Sequence, residues 1–71
     1  MKFYNQAFKY NVLRLPDVKA ATGLSRSSIY KRISEDSFPK SINLGGRCVG
    51  WLQSDVENWI KQCLAASRME G

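Results

Sequence analysis

Leu15-Pro16-Asp17-Val18-Lys19-Ala20-Ala21-Thr22-Gly23-Leu24-Ser25-Arg26-Ser27-Ser28-Ile29-Tyr30-Lys31-Arg32-Ile33-Ser34 reads as two short helices and the turn between them. Pro16 suits the first position of a helix, because its φ is already helical and its missing N–H would find no partner there. Asp17 complements the positive first turn, Val18 and Ala21 share a face, and Gly23 supplies the left-handed residue that ends a helix. The first helix is therefore expected over residues 16–22. Ser25 can accept an N–H from the first turn of the second helix, and Leu24 can pack on Ile29 as a hydrophobic staple. The second helix should end near Ser34, since Phe38-Pro39 marks a change of direction.

Ser41 to Leu44 and Arg47 to Leu52 are β-compatible segments around Gly45-Gly46, a pair that can adopt the positive φ angles of a tight hairpin. Pairing Leu44 with Arg47 would set Ile42 opposite Val49, placing Ile42, Val49 and Trp51 on one face and Asn43 and Cys48 on the other. A third helix follows over about residues 54–66. Ser54 and Glu57 read as its capping box, and Val56, Trp59, Ile60, Cys63 and Leu64 follow the spacing of an apolar stripe. Before the first helix, Leu13 and Leu15 alternate around Arg14 and suggest a short strand. Residues 1–12 read as an N-terminal arm carrying Phe3, Tyr4, Phe8 and Tyr10, either folded onto the domain or free to serve in dimerisation or an extra DNA contact. Residues 13–66 form the domain, and 67–71 a frayed tail.

The assembled fold is mostly α with a small β-hairpin. Three helices plus a two-stranded antiparallel wing make a winged helix-turn-helix. At 71 residues the chain is one domain, whose core supplies only about 3–5 kcal/mol of net stability. Eleven Lys and Arg against six Asp and Glu give a formal charge of +5, which favours a polyanionic partner. No stretch has the roughly 18 apolar residues of a membrane span, and the first residues lack the apolar run of a signal peptide, so a cytoplasmic location is expected. Histidine is absent, so Cys48 and Cys63 cannot build an ordinary zinc site with it. Both cysteines read as reduced core residues, with a disulfide or redox switch as the alternative.

Ile29 and Ile33 face the core of the second helix, so Lys31 points away at about 100° per residue, with Ser27, Ser28 and Ser34 on the outer half. Arg26, Tyr30 and Arg32 flank this face. Hydroxyls, guanidinium and ammonium groups can bond phosphates or base edges, although a solvated basic helix would carry the same residues. Arg47 at the hairpin tip can enter a narrow minor groove or merely solvate the turn, and Lys40 is a further phosphate candidate. Trp51 and Trp59 read as core, with base stacking the minor alternative. An enzyme is not expected: there is no histidine, no phosphate-binding glycine loop and no close carboxylate pair with a separate acid or base partner. Asp55 and Glu57 instead complement the dipole of the third helix.

The motifs Arg14-Leu15-Pro16-Asp17-Val18, Thr22 to Tyr30, Leu44 to Leu52 and Ser54 to Ile60, in that order, resemble the AlpA family of small prophage-encoded regulators. The resemblance covers about residues 13–62. It implies a winged helix-turn-helix related to excisionase and MerR-type domains, a double-stranded DNA partner, and no cofactor. The implied roles are transcriptional control of a prophage or integrated element, promotion of integrase expression, or action as an excisionase. Integrase, or a second copy of the chain on repeated half-sites, is a further candidate partner. The DNA-reading helix would lie over Arg26 to Ile33 and the wing around Gly45 to Val49, giving Arg26, Ser27, Ser28, Tyr30, Lys31, Arg32, Lys40 and Arg47 as candidate contacts. Cys48 stands where a basic or small residue is more usual. The alternative is an adaptor or anti-repressor whose basic face meets an acidic protein or integrase; neither a membrane nor a small-molecule substrate is expected.

Overall fold

The computed structural model describes residues 10–70. Phe3, Tyr4 and Phe8 of the expected arm lie outside the described residues. The elements run β1 (Val12–Leu13), α1 (Leu15–Thr22), α2 (Arg26–Ser34), β2 (Ile42–Gly45), β3 (Cys48–Leu52) and α3 (Gln53–Glu70). The described residues form a winged helix-turn-helix of three helices and a small antiparallel sheet.

Local chemistry sets the two short helices much as their caps suggest. Gly23 adopts φ 75°, and its N–H donates to the Lys19 carbonyl at 2.8 Å, closing α1 in a left-handed cap. Ser25 is extended, and its hydroxyl accepts the Ser28 N–H at 3.2 Å, opening α2 after a three-residue gap. Leu15 belongs to α1 and not to the preceding strand; Arg14 is the N-cap, and its N–H donates to the Asp17 carboxylate at 3.4 Å.

The wing differs from the two-stranded hairpin in two respects. Val12–Leu13 adds a third strand, giving the order β1-β3-β2, with Val12 opposite Leu52 and Leu13 opposite Trp51. The hairpin register is also shifted: Ile42 faces Gly50, Asn43 faces Val49, and Gly45 faces Cys48 across an irregularity between Asn43 and Gly45. The Asn43 side-chain oxygen accepts the Gly45 N–H at 2.8 Å, which draws that backbone group into a local turn and leaves Leu44 as the extra residue of a bulge. Gly45 at φ 110° and Gly46 at φ 57° then carry the chain into the turn, so the tip is Gly46-Arg47 rather than Gly45-Gly46. Ile42 consequently lies on the face opposite Val49 and Trp51. On that outer face a Cβ at Gly50 would stand 2.4 Å from Val12 Cγ1 and 3.1 Å from Leu44 Cδ1, so glycine lets these side chains close over the sheet.

The core joins every layer: Val18 of α1, Ile29 of α2, Phe38 of the connection, Trp51 of β3 and Val56 of α3 are buried. Leu13, Leu15, Leu24, Ile33, Val49, Trp59 and Ile60 pack around them. Trp51 donates its indole N–H to the Pro39 carbonyl at 3.0 Å, and Phe38 meets Trp59 edge-on at a centroid distance of 4.8 Å. Phe38-Pro39 thus does more than change direction: it fixes the α2–β2 connection to both tryptophans.

Helix α3 begins at Gln53 directly from β3, so Ser54 is not its cap, and the expected Ser54–Glu57 capping box gives way to other bonds. The Gln53 backbone N–H donates to the Asn11 carbonyl, and its side-chain amide donates to the Glu57 carboxylate, each at 2.8 Å. The helix continues to Glu70, through residues expected to fray. Its apolar stripe outlasts the core: Cys63 is exposed and Leu64 is 48% exposed, bordering a groove with Ala21 and Thr22. Cys48 is exposed as well, so neither thiol is the core residue expected from its sequence neighbours. Among the described residues no helix is long and apolar enough to cross a membrane.

Candidate nucleic-acid interface

The outward face of α2 is built by exclusion. Ile29 is buried and Ile33 half-buried, which turns Ser27 and Lys31 to solvent on the opposite side. Arg26 and Tyr30, four residues apart on one flank, form a stack: the guanidinium carbon lies 5.2 Å from the ring centroid. The Tyr30 ring in turn stands edge-on to Trp51 at 6.2 Å with an interplanar angle of 64°. Arg26 is thereby referred through Tyr30 to a fully buried core residue, which restricts where its charge can be. Tyr30 remains 36% exposed.

The other flank carries Ser28 and Arg32, both half-buried. The Ser28 N–H is taken by the Ser25 cap. Arg32 Nε is buried and has no hydrogen-bond partner among the described residues, while the Arg32 carbonyl accepts the Ser37 N–H at 2.8 Å and the Ser37 hydroxyl at 3.2 Å. Arg32 therefore helps stop α2 as well as adding charge. Lys40 lies beyond the helix and pairs loosely with Asp36 at 3.9 Å, both side chains being largely exposed. Such a pair contributes little and leaves the ammonium able to exchange partners. Asp36 itself sits at φ 59°, a left-handed position that aspartate tolerates better than most residues.

Arg47 occupies the turn between β2 and β3 and is exposed. The structure thus places Arg26, Ser27, Ser28, Tyr30, Lys31 and Arg32 on α2, with Lys40 in the connection and Arg47 at the wing tip. One further basic residue joins the wing to the body. Arg14 Nε donates to the Val49 carbonyl at 2.9 Å, a bond spanning 35 residues. Local sequence holds no sign of it, because the acceptor is a backbone group whose position depends on the whole sheet. Among the described residues, no group of three or more His, Cys, Asp or Glu side chains is arranged to hold a metal ion.

The model of the family described as prophage CP4-57 regulatory protein (AlpA) matches residues 11–64. The chain belongs to the AlpA family. It is 34% identical over 64 residues to the Escherichia coli K12 protein named DNA-binding transcriptional activator AlpA, covering 82% of this chain and 91% of that protein. It is 43% identical over 56 residues to uncharacterized protein ORF88 of Enterobacteria phage P4, covering 79% of this chain. The match spans 64% of the phage protein's length. The family match includes α1, α2, the whole sheet and the first two-thirds of α3, and so contains every candidate contact residue.

Proposed function

We propose that the chain is a sequence-specific double-stranded DNA-binding regulator of transcription from a prophage or integrated element. The observation that carries this reading is the exposed Ser27–Lys31 face of α2, flanked by Arg26 and followed by the exposed Arg47 of the wing, in a member of the AlpA family. Hydroxyl and ammonium groups on the second helix of a helix-turn-helix can bond base edges in the major groove, while a basic hairpin tip reaches backbone or minor groove. The name of the E. coli relative, a DNA-binding transcriptional activator, supports the same assignment.

In this account Ser27 and Lys31 read bases, with Arg26 and Tyr30 on one edge of the groove and Ser28 and Arg32 on the other. Lys40 and Arg47 contact phosphates. The regulated gene is that of an integrase, or the protein acts beside integrase as an excisionase; both roles use the same contacts on different DNA. A single module buries about 600–1,000 Å² of its own surface on duplex, which favours two copies on repeated half-sites. A regulator of this kind acts in the cytoplasm, where the DNA is.

Selection of bound fragments from the DNA of the element that carries the gene, followed by mobility shift with duplex competitor, tests the reading. A site beside a promoter supports transcriptional control, and one beside an attachment end supports excision. Failure to shift any duplex at moderate salt would contradict DNA binding and favour an adaptor for an acidic protein.

A further inference from the structure

Arg14 is held at both ends. Its backbone is the extended N-cap of α1, with its carbonyl accepting the N–H groups of Asp17 at 2.9 Å and Val18 at 3.0 Å and its own N–H donating to the Asp17 carboxylate. Its side chain is tied 35 residues away, where Nε donates to the Val49 carbonyl. Strand β1 stops at Leu13, so this guanidinium takes the place of a strand neighbour along the β3 edge toward the tip.

A guanidinium has five N–H donors, and the bond from Nε leaves the four on the two Nη atoms. Arg14 is exposed, and among the described residues its Nη atoms have no hydrogen-bond partner and no carboxylate lies within ion-pair distance. Val49 is two residues from Arg47, a separation of roughly 7 Å along a strand. The backbone group that holds the Arg14 side chain is thus close to the wing tip, where Arg47 is exposed on the turn.

From this we infer that Arg14 is a phosphate-contacting residue, a tethered anchor on the duplex backbone behind the contact of Arg47 at the wing tip. The inference rests on the duplex-binding reading above. A planar fork whose plane is already set loses less freedom on meeting a phosphate than a loose side chain does. Because phosphate contacts position a protein without reading sequence, Arg14 adds affinity for every duplex equally.

Arg14→Gln removes the charge and keeps a side-chain N–H able to bond the Val49 carbonyl; Arg14→Lys keeps the charge and loses the fork. Affinities of the parent and both variants for a selected site and a scrambled duplex would be measured across a salt series, with melting curves alongside. Arg14→Gln should lower the magnitude of the slope of log K against log salt by about 0.9, and weaken both duplexes by the same factor. Arg14→Lys should keep the parental slope at reduced affinity. An Arg14→Gln variant that kept the parental slope, even with weaker binding, would overturn the inference and leave Arg14 a structural tie. If the parent itself bound no duplex, the DNA-binding reading would fall and this inference with it.

Discussion

The indole N–H of Trp59 donates to the Ser37 carbonyl at 2.7 Å, linking the middle of α3 to the end of the α2 connection. The same ring meets buried Phe38 edge-on, so Trp59 holds the α2–β2 connection against α3. Truncation to Ala should cost about 3–5 kcal/mol, comparable with the net stability of so small a domain. Trp59→Phe keeps an aromatic partner for Phe38 and loses the hydrogen bond, so about 0.5–1.5 kcal/mol should separate it from the parent. Urea denaturation followed by far-ultraviolet circular dichroism measures both; a parental midpoint for Trp59→Ala would contradict the packing.

Gly50 is the place where the third strand closes. A Cβ there would stand 2.4 Å from Val12 Cγ1 and 3.0 Å from the Leu13 carbonyl oxygen. The side chain of Val12 can shift, but the carbonyl belongs to the strand pairing. Gly50→Ala should destabilise by about 1–3 kcal/mol and release protection of the β1 amides in hydrogen exchange. Parental stability with intact protection would show that β1 is not packed on Gly50.

Both exposed thiols predict indifference. Cys48→Ser and Cys63→Ser should each change stability by no more than about 0.5 kcal/mol, because neither removes a buried group. Duplex affinity should be unaffected by chelator or mild reductant. A requirement for zinc, or a loss of binding on oxidation, would refute this.

The two short helices were legible because their ends are chemical and local: Gly23 takes its left-handed φ and Ser25 its capping bond within a few residues of the helices they bound. The outward face of α2 was legible for the same reason, since Ile29 and Ile33 fix the helical phase. The wing register was not, because it turns on one hydrogen bond, donated by the Gly45 N–H to the Asn43 side-chain oxygen, that diverts a ladder position into a bulge. The third strand and the Arg14–Val49 bond depend on residues distant along the chain, which no local period reports. For α3 the stripe gave the correct face and overstated its burial: at Cys63 and Leu64 the helix has run past the elements that cover Val56 and Trp59.

Lys31→Ala and Arg47→Ala, compared on a selected duplex and on scrambled duplex across a salt series, separate base reading by α2 from backbone contact by the wing. Lys31 stands opposite the buried Ile29, so its loss should cost about 1–3 kcal/mol on the selected site and relax preference at one base position. Arg47 stands at the exposed tip, so its loss should weaken both duplexes alike and reduce the salt slope by about one unit. Neither side chain is buried, and both variants should melt like the parent. If both folded variants bound the selected site with parental affinity and slope, the assignment of α2 and the wing as the DNA-reading surface would be contradicted.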